Sequence, residues 1–198
     1  MNRLPELNNT YIAMRHGRSV PNEKGLIVSH RENGILPEYG LVDEGVEQAR
    51  TSANASALGE ETIVVTSPFS RAYQTAEVLY RTVNADDFII DERLRERGFG
   101  DMELESADLY HDVWKRDAAD ATHTYRGVES LCQITERQLQ TLSELEKIFA
   151  RRTIVLVGHA DPINVLKAAL WGQSLRSHRK TFSIKNAEIQ PLTHMRQS

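Results

Sequence analysis

Cysteine is almost absent from this sequence, because only Cys132 occurs among its 198 residues. A lone cysteine forms no disulfide within the chain, which is typical of proteins from a reducing compartment. Cys132 lies in the helical pattern ESLCQITER, which contains no histidine. We therefore expect it to be a small core residue rather than a nucleophile.

Long apolar runs and an excess of positive charge are also lacking. No apolar run approaches the ~18 residues of a membrane-spanning helix, and MNRLPELNNT has no apolar signal-peptide core. The formal net charge of -4 and the pI near 6.0 argue against the broad basic face of a nucleic-acid-binding protein. We therefore expect a soluble, cytoplasmic protein without nucleic-acid or membrane partners.

The sequence does contain a regular alternation of short apolar runs and helical patterns. Hydrophobic residues make up 40% of the chain, which is ordinary for a globular protein, and we predict a single domain over residues 1–198. Short β-branched runs predict buried strands. These runs are YIAM at 11–14, TIVV at 62–65, FII at 88–90 and TIVLV at 153–157, with TFSIKNAEIQPL supplying one or two edge strands.

Helical patterns lie between these runs. They cover 43–58 with Asp43 as the N-cap, a segment that begins at Ser67-Pro68, then 105–118, 129–150, and 162–171 with Asp161 as the N-cap. Strands that alternate with helices predict an α/β fold. We expect a three-layer α/β/α sandwich with a mostly parallel central sheet and a small cap formed by insertions.

Titratable side chains come within a few residues after each of the predicted strands. They are Arg15 and His16 after YIAM, Arg71 after TIVV, Glu92 and Glu96 after FII, and His159 after TIVLV. Because the carboxyl ends of parallel strands meet at one edge of a sheet, we expect these side chains to lie close together.

This set of residue types suits phosphate chemistry. Arginine guanidinium groups bind a phosphate dianion, and a neutral histidine can attack phosphorus. A second histidine can donate to the phosphoryl oxygens, and a carboxylic acid can protonate the leaving alkoxide. Each residue alone has a plainer explanation, as a structural histidine or a solvated surface charge. Their occurrence together at successive strand ends favours a phosphate site.

The segments that carry these residues resemble the histidine phosphatase superfamily, in its phosphoglycerate-mutase-like branch. The matches run from about residue 11 to 166, in the family's order. The matching segments are MRHGRSVPN, LVDEGVEQA, SPFSRAYQTAE, LRERGFGDMEL, GVESLCQITER and VLVGHADPI. They resemble the family patterns RHGxSxxN, LTxxGxxQA, SPxxRAxQTA, LxExxFGxWEG, GES and VxHGxxI.

The resemblance implies a catalytic role for five residues. His16 would be the phosphorylated nucleophile, and His159 would be the second histidine at the phosphoryl group. Arg15 and Arg71 would bind phosphate. Glu96 would be the general acid and then the base that activates water. No metal or organic cofactor is implied, and the sequence contains no HExxH motif or carboxylate-cluster metal pattern.

Other positions match the family less directly. Glu92 and Glu103 are weaker candidates for the acid, because they do not follow the LxE spacing. Asn22 resembles the asparagine that lines the family's pocket. Arg18 replaces the usual Glu or Gln, and Ala160 replaces the glycine after the second histidine, where a positive φ would be awkward for alanine. We assign Asn22, Arg18 and Ala160 to substrate binding.

The predicted activity is hydrolysis of a small phosphorylated metabolite by a metal-independent, histidine acid-type phosphatase. Mutases of the family carry a long insertion after the acid region, whereas only 33 residues separate Glu96 from Ser130 here. The alternatives are a phosphoglycerate mutase-type phosphotransferase, and an inactive phospho-ligand-binding or interaction protein. The oligomeric state is open, with a homodimer among the alternatives.

Two segments bear on the choice of substrate. In the loop 23–40, His30 and Arg31 would join Arg18 in holding a second phosphate or a carboxylate, or else the loop is simply solvated. In the insertion 105–127, we expect Trp114 and Tyr110 to pack in the core or cap rather than to contact substrate.

Overall fold

The computed structural model describes residues 4–193, and its centre is a five-stranded sheet. The strands are β1 Thr10–Arg15, β2 Thr62–Thr66, β3 Asp87–Ile90, β4 Thr153–Gly158 and β5 Ile189–Pro191. They lie in the order β3-β2-β4-β1-β5, and β5 alone runs antiparallel to its neighbour. Arg15 pairs with Gly158 in the register, so the residues that follow β1 and β4 leave the sheet side by side.

Helices cover both faces of the sheet. Those within residues 4–193 are α1 Val20–Lys24, α2 Arg31–Gly34, α3 Asp43–Ala55, α4 Ser70–Val83, α5 Tyr110–Ala119, α6 Leu131–Ile148, α7 Ala160–Leu170 and α8 His178–Thr181. Ile154 and Leu156 of β4 pack with α6 and α7, whereas Val155 and Val157 pack with α3 and α4. This alternation along a buried strand produces two cores. The predicted three-layer α/β/α sandwich is confirmed.

Several helices begin at residues other than those predicted. The N-cap of α3 is Val42 rather than Asp43, that of α4 is Phe69 rather than Ser67, and that of α7 is His159 rather than Asp161. Ser67 lies before α4, and its hydroxyl contacts both the Phe69 N–H and His159, while the Asp161 side chain accepts from Trp114 of α5. Tertiary contacts therefore outweigh capping at these two residues.

The insertion after the acid region forms a small cap. Helix α5 packs through Val113 on Ile27, Phe99, Met102 and Val128, which form a separate apolar cluster. The prediction for Cys132 is wrong, since it is exposed on the outer side of α6. None of the helices described here has both the length and the apolar character needed to cross a membrane.

Candidate active site

His16 lies directly after β1, and its backbone N–H donates to the Gly158 carbonyl at 2.9 Å. The ring is buried, and its Nδ1 lies 2.8 Å from the carbonyl oxygen of Gly17. A carbonyl oxygen only accepts, so Nδ1 carries the ring proton and Nε2 keeps its lone pair. This tautomer is the one that a nucleophilic histidine requires.

Gly17 permits the close chain packing that holds this carbonyl in place. A Cβ atom at position 17 would lie 2.3 Å from the carbonyl oxygen of Gly45, at the start of α3. The Gly17 N–H donates to Thr75 Oγ1 of α4 at 3.0 Å. The glycine of the Arg-His-Gly sequence is therefore a packing requirement, because any side chain would push the end of β1 away from α3.

The His16 ring is neutral at physiological pH. Burial lowers the pKa of His16 well below its usual value, and the positive charges of Arg71 and Arg15 lower it further. A neutral imidazole keeps the Nε2 lone pair available for attack on phosphorus.

His159 caps α7 and packs against His16, with 5.2 Å between the ring centroids. Its Nε2 lies 3.0 Å from Ser67 Oγ, and the Glu96 carboxyl oxygen near Nδ1 favours the tautomer in which the Ser67 hydroxyl donates to Nε2. The ring proton then belongs on Nδ1, which lies 3.6 Å from Glu96 Oε2. Burial lowers the pKa of His159 well below its usual value. His159 is thus a neutral donor at the site.

Arg15 and Arg71 each use one nitrogen to hold a backbone carbonyl. Arg15 Nη1 donates to Ile184 at 3.1 Å, and Arg71 Nη2 donates to Val28 at 2.9 Å. Arg15 Nε, Arg71 Nη1 and His159 Nδ1 are buried and have no hydrogen-bond partner among the described residues. Buried donors are normally paired, so three unpaired donors around one histidine suit an anionic ligand.

Glu96 lies between the second histidine and the second arginine. Its Oε2 is 3.6 Å from His159 Nδ1 and 3.9 Å from Arg71 Nη2, while its Oε1 accepts the Arg97 N–H at 2.8 Å. Burial raises the pKa of Glu96 to about 7, against the opposing effect of the Arg71 charge. The carboxyl group can therefore both release and take up a proton near neutral pH.

A cavity of about 170 Å³ is lined by four of the five residues with an implied catalytic role, Arg15, His16, Arg71 and Glu96; the fifth, His159, is fully buried beside His16. Two of the residues assigned to substrate binding, Asn22 and Ala160, also line it. Asn22 Oδ1 accepts from Ser19 Oγ at 3.0 Å and from Asn186 Nδ2 at 3.2 Å. Ala160 is the first residue of α7 and has right-handed helical backbone, so the anticipated strain at this position does not arise.

The structure leaves three other candidates outside this cavity. The Arg18 guanidinium lies 3.3 Å from Glu44 and 3.6 Å from Glu23, in a half-exposed surface cluster. Glu92 pairs with Arg31 on the surface at 3.2 Å. Glu103 accepts from the backbone and side chain of Ser29, both at 2.7 Å, and so fastens the loop 23–40 to the segment before α5.

Sequence reasoning missed two charged residues that line the cavity, Asp161 and Arg179. The sequence pattern predicts Asp161 only as a helix N-cap, and it predicts no role for Arg179. Trp114 and Tyr110 of the cap also line the cavity, in addition to packing there. The position of Asp161 directly after the VGHA segment, close to His159, is the signal that could have identified it. Arg179 lies in no recognisable motif.

Within residues 4–193, no group of three or more His, Cys, Asp or Glu side chains is arranged to hold a metal ion. The donors around His16 are instead cationic and neutral N–H groups, which suit an anion.

Known proteins similar to this chain include phosphatases and phosphoglycerate mutases. A glucosyl-3-phosphoglycerate phosphatase from Mycolicibacterium vanbaalenii is 31% identical over 81% of this chain and 73% of its own length. A 2,3-bisphosphoglycerate-dependent phosphoglycerate mutase from Parvibaculum lavamentivorans is 27% identical over 80% of this chain and 78% of its own. The mycobacterial glucosyl-3-phosphoglycerate phosphatase structure with VO3 superposes with a TM-score of 0.74, at 26% identity, covering 90% of this chain and 88% of that one.

A family model provides the broadest match. The model of the histidine phosphatase superfamily (branch 1) matches residues 11–198, which includes all five residues with an implied catalytic role. The resemblance of the six sequence segments is confirmed, and the chain belongs to the histidine phosphatase superfamily.

Proposed function

We propose that the protein is a metal-independent phosphomonoesterase of the histidine acid type that hydrolyses a small phosphorylated metabolite through a phosphohistidine at His16. One observation carries this proposal: His16, whose Nε2 keeps its lone pair, lines one cavity with Arg15 and Arg71 and packs against His159, and each of these three neighbours has a buried, unpaired donor. Such a group offers a nucleophile and three N–H donors to a single phosphoryl group. The arginine charges offset the phosphate charge, so no metal ion is needed for binding.

The reaction proceeds in two displacements. In the first, His16 Nε2 forms a bond to phosphorus as the bond to the ester oxygen breaks, and Glu96 gives its proton to the departing alkoxide. In the second, the Glu96 carboxylate takes a proton from water as the water oxygen attacks phosphorus and the N–P bond breaks. Phosphate leaves, and Glu96 is again protonated. A pKa of about 7 suits a group that serves as acid and then as base.

A mutase is the second candidate function, because two of the similar proteins are named as phosphoglycerate mutases. The two activities share the phosphohistidine and differ in whether water or a bound acid accepts the phosphoryl group. The small cap supports hydrolysis, since only one helix of ten residues, α5, lies between the acid region and α6.

The test is an assay of p-nitrophenyl phosphate, sugar phosphates and 3-phosphoglycerate at pH 5 to 8, with and without EDTA. We expect phosphate release that EDTA leaves unchanged, and an acid-labile, base-stable phosphoenzyme after rapid quenching. Isomerisation of 3-phosphoglycerate faster than phosphate release would favour the mutase. Strong inhibition by EDTA would contradict the metal-free mechanism.

The pH dependence of kcat/KM tests the role of Glu96. For an alkyl ester such as glycerol 3-phosphate, we expect kcat/KM to fall roughly tenfold per unit above about pH 7, because only the protonated acid can donate to a poor leaving group. For p-nitrophenyl phosphate, the fall should be shallower, since its leaving group needs little protonation. The parameter kcat/KM reports the steps up to release of the first product, so it isolates this proton transfer.

The Glu96→Gln variant completes this experiment. It should lose about 10²- to 10⁴-fold in kcat/KM on the alkyl ester, lose less on p-nitrophenyl phosphate, and no longer show the alkaline decline. Glu92→Gln is the matched control, because Glu92 lies on the surface of the same segment. Equal losses on the two esters in Glu96→Gln would assign the acid to another group.

A further inference from the structure

A third arginine, Arg179, lines the same cavity as Arg15 and Arg71 but has no part in the mechanism above. It lies on α8, in the segment between α7 and β5. Its Nη1 pairs with Asp161 Oδ1, and its guanidinium carbon lies 3.5 Å from the centre of the Trp114 indole ring. Contacts with two different elements therefore hold this guanidinium at the cavity wall.

The wall that carries Arg179 is built from stacked side chains of the cap. Trp114 stacks on Tyr110 with 5.4 Å between ring centroids and 17° between planes, and Tyr110 contacts Phe99 edge-on at 4.6 Å. The Trp114 Nε1–H donates to Asp161 Oδ2 at 3.2 Å. Trp114 and Asp161 thus position Arg179, and the indole face under the guanidinium is covered rather than open to substrate.

Arg179 retains donors after these contacts are made. Only Nη1 has a partner, so Nε and Nη2 make no hydrogen bond or ion pair with the residues of 4–193. The side chain is 35% exposed, in contrast to the nearly buried Asp161. The Nε and Nη2 edge of a guanidinium is a fork that binds carboxylate or phosphate oxygens in pairs.

The charges around the cavity indicate that Arg179 has a role distinct from that of the phosphate-binding pair, Arg15 and Arg71. Burial lowers the pKa of Arg15, and the nearby Arg179 charge adds to the effect, so the two guanidinium groups lie within electrostatic reach. Asp161 stays ionised, since its contacts with Arg179, Arg97 and His178 hold its pKa below the usual value against the effect of burial. With Arg15 and Arg71 on the phosphoryl group, Arg179 is the remaining cation that lines the cavity among residues 4–193.

We propose that Arg179 is a specificity-determining residue that binds a second anionic group of the substrate, a carboxylate or a further phosphate. The proposal rests on the proposed function for the position of the first phosphate. It deepens that function by defining the substrate class as small phosphomonoesters that carry a second negative group. Arg18, His30 and Arg31, which the sequence suggested for this role, do not line the cavity.

Binding without turnover provides the test. Calorimetry in the His16→Ala background measures the Kd of 3-phosphoglycerate and of glycerol 3-phosphate, which differ only in a carboxylate against a hydroxymethyl group. The Kd values of fructose 1,6-bisphosphate and fructose 6-phosphate are compared in the same way, because these two ligands differ in a further phosphate. Arg179→Gln removes the charge but keeps a donor for Asp161, and Lys180→Gln, on the exposed side of the same helix, is the matched control.

We expect the doubly anionic member of at least one pair to bind roughly 10- to 100-fold more tightly than its partner, as for a charge-assisted hydrogen-bonded contact. Arg179→Gln should abolish that preference, and Lys180→Gln should retain it. Equal affinities within both pairs, an equal weakening of all four ligands by Arg179→Gln, or no binding at all would overturn the proposal. Failure of the proposed function would appear separately, as wild-type phosphate release no faster than that of His16→Ala.

Discussion

Replacing His16 with alanine is expected to lower phosphate release from every phosphomonoester by at least about 10⁴-fold, because the variant has no atom that can form the phosphoenzyme. The neighbouring histidine, His159, cannot replace it. Nε2 of His159 lies 3.0 Å from Ser67 Oγ and its Nδ1 carries the ring proton, so neither nitrogen has a lone pair free to attack phosphorus. The loss should be equal for good and poor leaving groups, which distinguishes a missing nucleophile from a missing acid.

The measurement is initial-rate kinetics with p-nitrophenyl phosphate and glycerol 3-phosphate, together with phosphoenzyme trapping. The control is His30→Ala, since His30 is an exposed histidine that lies outside the catalytic cavity. Phosphate binding should survive in His16→Ala, because the donors of Arg15 and Arg71 remain. A variant that still folds, still binds phosphate and still releases it at a wild-type rate would exclude His16 as the nucleophile.

The central part of this site could be predicted from the sequence because it depends on strand ends. His16, Arg71 and His159 each follow a recognisable buried strand, and parallel pairing brings such positions together. The unpaired donors and the shifted pKa of Glu96 could not be read in this way, since they arise from burial. A sequence pattern states which residues converge but not which of their atoms lack partners.

The wall of the cavity was harder to predict for a different reason. Arg179 meets Asp161 and Trp114 only because the cap and the segment after α7 pack against each other. Arg18 presents the opposite case, since its place in the Arg-His-Gly block suggests a site residue. Its side chain instead forms ion pairs with Glu44 and Glu23 on the surface. Both outcomes depend on contacts between distant segments, which local patterns do not encode.

The second large effect is expected on stability, at the buried ion pair between Arg97 and Asp117. Arg97 follows the proposed acid directly in the chain, and its side chain is 0% exposed. It forms two hydrogen bonds with Asp117 of α5, at 2.7 and 2.8 Å, and lies 3.5 Å from Asp161 Oδ2. The pair thereby joins the cap helix to the segment that carries Glu96.

Asp117→Ala is expected to lower the free energy of unfolding by about 3–5 kcal/mol, because it leaves the Arg97 guanidinium buried without its bidentate partner. Urea denaturation measures this change. Glu77→Ala is the control: it breaks an exposed pair with Arg81 on α4 and should cost only about 0.3–0.5 kcal/mol. A loss below about 1 kcal/mol for Asp117→Ala would mean that water or a neighbouring carboxylate compensates the arginine.

The double variant Arg97→Met/Asp117→Leu separates stability from catalytic positioning. Removing both charges should restore much of the lost stability, since apolar side chains of similar size often replace a buried ion pair at little cost. Activity on alkyl esters should fall below that of the wild type, because Arg97 no longer holds the chain beside Glu96, whereas activity on p-nitrophenyl phosphate should fall less. Recovery of both stability and alkyl-ester activity would show that the ion pair supports the fold alone. A stable double variant with the leaving-group dependence of Glu96→Gln would instead identify Arg97 as the residue that positions the acid.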